Sequence, residues 1–400
     1  MSDKEIPINF DEIIDRANSD SSKWNKNVLE RAFGSKELLP LWVADMDFRA
    51  PKPIIDALKI RAEHGIYGYS TVKPSLYKSI ISWFQSRYNW AIDKTKKPIM
   101  FTPGVIPALD LAVRANSHIG DKIIVQNPVY YPFYGVIQSN GRQILRNPLT
   151  FSDGRYEMDF EDLKNKVKDP RAKMLILCNP HNPIGRVWSK EELIQMGEIC
   201  IENDILVVAD EIHCDLIFPG YKHTNFASIN EKFEQNSITC TSVSKTFNLA
   251  GLHFSTIIIP NKKIKQDYIN IRAGSGVGTP NIFGFIAAEA AYSHCAYWLD
   301  ALMIYLQKNL DFLRSFINDN LPKIKMIEPE GTYLVWLDCR EMGMDHKELE
   351  KFMRTQAKVA FDEGYIFGEG GEGFERINIA CPRSILEKAL IQVQKAVEKL

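Results

Sequence analysis

From about residue 98 the chain repeats a pattern that restricts the folds open to it. Short apolar runs, PIMFT, KIIVQ, KMLILC, ILVVAD, SITCTS and FSTIIIP, alternate with helical stretches such as GVIPALDLAVRANS. Brief β-branched runs bounded by Asn, Pro and Gly read as strands buried on both faces, which predicts a parallel sheet with crossover helices. The last third changes character. WLDALMIYLQKNLDFLRSFIND reads as a long amphipathic helix, followed by strand candidates TYLVWLD and ERINIA and a helix from about Ser384 to the end. That segregation predicts a smaller α+β lobe, which the N-terminal residues join. A chain of 400 residues suffices for both. We expect a large α/β domain over 47–287 and a small α+β domain made of 1–46 together with 288–400.

Several functional classes are disfavoured at once. A net charge of -1 gives no global attraction to nucleic acid or to an anionic membrane. No apolar run approaches the ~20 residues of a membrane span, and the acidic start MSDKEIPINFDEIIDR does not read as a secretory signal. Seven scattered cysteines without a CxxC pair argue against a disulfide framework and a zinc site, so a reducing cytoplasm is expected and no metal. GSGVGTPN and GEGGEGFE are glycine-rich, but neither follows a strand and opens a helix as a dinucleotide fingerprint does.

The chemistry concentrates where the predicted strands end. ILVVAD closes on Asp210, and SVSKTFNLAGL carries Lys245. A lysine amine can form a Schiff base with an aldehyde, and a carboxylate can hold a pyridine ring protonated. The pair suits the two ends of a pyridoxal phosphate (PLP) site. In TPGVIPALDLAV the backbone N–H groups of Gly104, Val105 and Ile106 open a helix and form an anion seat, although a plain strand-to-helix turn has the same pattern. Ser242 and Ser244 flank Lys245 and could add hydroxyls to the same phosphate. NPVYYPF offers Tyr130 and Tyr131 as a face for the ring, with core packing as the alternative. Asn182 in CNPHNPIGRVW, or His213 just after Asp210, could reach the phenolic oxygen of the ring. In open parallel sheets ligands gather outside the carboxyl ends of the strands, where these residues lie.

The ordered strings LPLWVADMDF, YGYS, NPVYYPF, CNPHNPIGRVW, ADEIHCDL, SVSKTFNLAGL, GTYLVWLD and FERINIACPR resemble the class I and II aminotransferase superfamily of fold type I. Within it the chain is similar to the MalY/PatB group of cystathionine β-lyases and cysteine desulfhydrases. The resemblance covers nearly the whole chain. It implies a mostly parallel seven-stranded sheet in the large domain, PLP as cofactor, and a homodimer with shared active sites. It also implies roles by position. Lys245 is the Schiff-base lysine, Asp210 the pyridinium partner, Asn182 the donor to the ring oxygen and Tyr130 the stacked ring. Gly104 to Ile106, Ser242 and Ser244 surround the phosphate. Arg376 binds the substrate α-carboxylate, and Tyr69 reaches the phosphate of the neighbouring subunit, with Tyr67 as its competitor.

Two departures stand out. Typical aminotransferases carry tyrosine where this chain has His213, which agrees with the MalY/PatB group. They also carry a basic residue shortly after the Schiff-base lysine, whereas LAGLHF has no arginine or lysine there, and His253 is expected to be packed or at the surface. The resemblance implies β-elimination from a sulfur amino acid such as cystathionine or cysteine. Lys245 serves as general base, Tyr131 helps protonate the leaving sulfur, and pyruvate, ammonia and a thiol are released. Transamination and a regulatory role of the MalY type are the alternatives.

Overall fold

The computed structural model describes residues 8–400, so residues 1–7 of the expected small domain lie outside the described residues. Seven strands form the main sheet, in the spatial order Ile99–Thr102, Ser255–Ile258, Ser237–Thr241, Leu206–Asp210, Ala172–Cys178, Lys122–Val125, Gln143–Arg146. Six run the same way. Ser255–Ile258 is antiparallel to both of its neighbours, so the seven-stranded sheet is mostly parallel, as expected. The strands Leu206–Asp210 and Ser237–Thr241 are buried at every position, as a sheet covered on both faces requires. The seventh strand, Gln143–Arg146, lies at the edge, is partly exposed throughout and carries no apolar run.

The crossover helices follow from local chemistry. Lys190–Glu202 starts with a capping box, in which the Ser189 hydroxyl accepts from the Glu192 amide and the Glu192 carboxylate accepts from the Ser189 amide. Lys262–Ser275 starts at Asn261, whose side chain accepts two amides, and ends at Gly276 in the left-handed region, so GSGVGTPN is a helix terminus and the turn beyond it. By contrast, Val105–Asn116 begins at Gly104 with no side-chain cap.

The C-terminal lobe is a four-stranded antiparallel sheet, Lys325–Ile327, Leu334–Asp338, Phe374–Asn378 and Asp362–Glu363 in spatial order. The long helix Ala296–Asn320 and the final helix Arg383–Val397 pack against each other beside it. The segment before residue 47 lies along this lobe, since Leu39–Pro40 pairs in parallel with Val359–Ala360 and the Asp47 amide donates to the Ala380 carbonyl. One hydrophobic cluster joins residues such as Leu41 and Trp83 to Phe247, Leu302 and Ile377, so the two lobes share a core. Among the described residues, no helix is long and apolar enough to cross a membrane.

Candidate active site

Register brings the first group of side chains together. Cys178 and Cys240 are the sheet partners of Asp210, so three strands end on one line facing the lobe boundary. A cavity of about 150 Å³ opens there. Asp210, Lys245, Asn182, Tyr130, His213 and Ser244 all line it, as do Gly104, Val105 and Ile106.

Lys245 lies in the short helix Val243–Thr246 and is half-buried. Its Nζ donates to the Ala44 carbonyl at 2.6 Å, a contact across the lobe boundary. Burial draws its amine down to about 8, helped by the charge of Arg376 and resisted by Asp45 and Asp210. Asp210 is buried, and its one side-chain hydrogen bond comes from the Ile212 amide at 3.1 Å. Burial therefore lifts its carboxyl to about 7, against that hydrogen bond and the Lys245 charge. A buried carboxylate so sparsely paired has room for one more cationic donor.

The second group forms around Arg376, which is buried at the middle of Phe374–Asn378 with Asp362 directly across the ladder. Its guanidinium bonds to Asp362, donates to Asn182 Oδ1 at 2.8 Å and to the Trp42 carbonyl at 3.1 Å, and stacks on Phe367. Arg376 Nε has no hydrogen-bond partner among the described residues. The bond to Asn182 has a chemical consequence, because an amide that accepts through Oδ1 presents its Nδ2 donors elsewhere, here toward the cavity. His213 is buried with Nδ1 unpartnered. Burial first, then the Lys245 and Arg376 charges, hold its imidazole far below the usual histidine range and therefore neutral.

These features fit PLP group by group. The uncapped amides at Gly104, where φ is 123°, suit the phosphate. The under-paired Asp210 suits the pyridinium nitrogen, and the free donors of Asn182 and the orphaned His213 suit the phenolic oxygen. Tyr130 and Ile212 line the cavity and can cover the ring faces.

The comparisons with known proteins point the same way. The family profile "Aminotransferase class I and II" matches residues 36–392. The chain belongs to the class I and II aminotransferase family. Cystathionine beta-lyase PatB of Bacillus subtilis is 45% identical over 98% of this chain and 100% of its own length. Protein MalY of Escherichia coli is 34% identical over 98% and 99%. The crystal structure of cystalysin from Treponema denticola, which contains a pyridoxal 5'-phosphate cofactor, superposes with a TM-score of 0.95. It is 40% identical and covers 98% of this chain and 100% of that one. Fold type I, with its seven-stranded sheet and smaller lobe, is thus the architecture of this family member.

Some residues sit differently from the sequence expectation. Ser242 is not among the residues that line the cavity. Its hydroxyl donates to the Phe254 carbonyl at 2.5 Å and accepts from the Ser244 amide at 3.0 Å, because it is the N-cap of the lysine helix. His253, expected to be packed or at the surface, is exposed yet lines the cavity. Tyr131 is not among the lining residues; it is 41% exposed and packs between Tyr130 and Phe367. Tyr69 does not line this chain's cavity, and Tyr67 donates to the Ala62 carbonyl. Three features escaped the sequence reading, namely Ile212, Asp362 and the strap 42–46. Ile212 was signalled by its position two residues after Asp210. The strap was signalled only by the motif LPLWVADMDF, with no role attached. Its carbonyls accept from Arg376, Asn378, Tyr333 and Lys245.

Proposed function

We propose that this protein is a PLP-dependent carbon–sulfur β-lyase that releases pyruvate, ammonia and a thiol from L-cystathionine or L-cysteine. The observation that carries it is the full-length match to a cystathionine beta-lyase, and a cavity lined by Lys245, Asp210, Asn182 and Tyr130 supports it. PLP, when bound, supplies an electron sink for negative charge at the substrate α-carbon. The chain's own residues do the rest. Arg376, oriented by Asp362 and Asn182, binds the α-carboxylate with a planar fork. Lys245, with its amine near 8, takes the α-proton at Nζ close to neutral pH. Asp210 would face the ring nitrogen, where a cationic N–H would favour its ionised form. Tyr131, beside Tyr130, carries a hydroxyl raised by burial and by Asp362, which keeps it protonated and able to donate to the leaving sulfur.

A homodimer belongs to the same reading. Tyr69 has a relative exposure of 113%, unusual for a large aromatic side chain, and supports a role in the neighbouring subunit's phosphate site. The division into 47–287 and the flanking 1–46 with 288–400 assigns the phosphate, ring and lysine contacts to one domain and Arg376 to the other. A cytoplasmic location is supported by seven buried cysteines, none of them in a disulfide.

The test is to incubate the PLP-loaded protein with L-cystathionine in the absence of any keto acid and to follow pyruvate. Steady pyruvate release is expected. No pyruvate, together with fast amino-group transfer once a keto acid is added, would make the protein an aminotransferase instead.

A further inference from the structure

Lys245 sits on an element too short to fix its own position. The helix Val243–Thr246 has four residues and is closed by the Phe247 amide on the Val243 carbonyl at 2.9 Å. A single turn makes too few hydrogen bonds to offset the cost of ordering it. Side chains at its two ends therefore set its place. At the start the Ser242 hydroxyl accepts from the Ser244 amide at 3.0 Å. At the end Thr246, fully buried, donates its hydroxyl to Asp215 Oδ2 at 2.8 Å.

Asp215 is held from its other side as well. Its Oδ1 accepts from the Trp83 indole N–H at 3.0 Å and from the Tyr88 hydroxyl, both carried by the helix Pro74–Tyr88. Burial, and after it the Asp215 charge, hold that phenol well above its usual range, so it stays a donor. None of the partners of Asp215 is a cation. A carboxylate is the acceptor-only group that converging donors of this kind require. Trp83 adds a second hold on the same segment, because its ring packs edge-on against Phe247 with centroids 5.9 Å apart.

The position of Asp215 along the chain gives these contacts a use. It lies five residues after Asp210, with His213 between them. The start of that loop is pinned too, since the Glu211 carboxylate accepts from the Phe226 amide at 2.8 Å and from the Asn225 side-chain amide at 2.5 Å. One anchored loop thus carries both the carboxylate for the ring nitrogen and the carboxylate that grips the lysine helix. We propose that Asp215 is a positioning residue, which through Thr246 sets Lys245 at a fixed distance from Asp210. Neither Asp215 nor Thr246 lines the cavity, so both act through Lys245. An amine misplaced by about 1 Å from its reaction partner forfeits much of its advantage. The assignment rests on Lys245 being the lysine that joins PLP, and not on the choice of amino-acid substrate.

The test compares PLP with deoxypyridoxine phosphate, the analogue with a methyl group in place of the aldehyde, so that only PLP can join Lys245. Cofactor-stripped wild type, Thr246→Val, Thr246→Ser and Asp215→Asn are each titrated with both. Thr246→Val removes the donor to Asp215 and should weaken PLP binding by about 3- to 30-fold while leaving the analogue unchanged. Thr246→Ser restores the hydroxyl and should hold PLP within a few-fold of wild type. Asp215→Asn keeps the shape without the charge and should also lower PLP affinity selectively, which carries the test if Thr246→Val does not fold. Equal losses for the two probes, an unchanged PLP affinity, or a serine variant no better than the valine one would overturn the assignment. Borohydride reduction of the PLP-loaded wild type runs alongside. An adduct on Lys245 together with equal losses for both probes overturns the positioning role alone, whereas the absence of that adduct overturns the reading of Lys245 and this role with it.

Discussion

Lys245 lines the cavity and Arg376 reaches it through Asn182, yet the fold prepares these two cations in opposite ways. Arg376 is buried in the small sheet and tied to a carboxylate, an amide oxygen and a backbone carbonyl, with an aromatic ring under it. Lys245 sits in a single helical turn and holds one carbonyl, that of Ala44. The difference matches the chemistry each must do. A group that binds a carboxylate must keep its charge and geometry, whereas an amine that carries a proton to and from carbon must lose its charge easily. Neighbouring carboxylates separate the two. Asp362 lies directly across the ladder from Arg376, while Asp210 reaches Lys245 only through space.

The largest effect that breaks the comparison is on the lysine side. Lys245→Ala should lower pyruvate release from cystathionine by about 10²- to 10⁴-fold, while Arg376 keeps its partners. Steady-state rates check this. Next, Arg376→Lys removes the fork and should raise KM for the amino acid by about 10- to 100-fold. PLP affinity should stay close to wild type, as a cofactor titration would show. A smaller change comes from Asp362→Asn, which keeps the shape but not the charge behind Arg376. We expect KM to rise by roughly 3- to 10-fold with kcat little altered, and a fall in kcat alone would remove Asp362 from its positioning role.

The smallest effect concerns pH. Burial lowers Lys245 in the folded apoprotein to about 8, against an unfolded value of 10.5. Between these values the unfolded chain binds more protons than the folded one, so this group makes the apoprotein more stable as pH rises through that window. Labelling of Lys245 by an amine-reactive reagent should accordingly rise with a midpoint near 8. A midpoint typical of an exposed lysine would show that the amine is not desolvated.

How much of this could be read beforehand depended on the kind of contact. The buried strands were legible because burial on both faces forces continuous apolar runs, and Asp210 stood out as a carboxylate ending one of them. Gln143–Arg146 was not legible, since an exposed edge strand needs no such run. Nor was the reversed direction of Ser255–Ile258, which an apolar run does not encode. Asp362 and Arg376 meet through ladder register, and register depends on the turn at 364–373 and not on spacing along the chain. A serine before a helix serves equally as an anion ligand or as a cap, so the cap that Ser242 gives the Ser244 amide was not legible.

The central claim is that Lys245, and no other amine, is the reactive lysine of a PLP site. The most direct measurement is borohydride reduction of the PLP-loaded protein followed by peptide mass analysis. The account predicts one pyridoxyl-modified peptide, carrying the adduct on Lys245 in SVSKTFNLAGL. An adduct on a different lysine, or no adduct in a protein saturated with PLP, would contradict it.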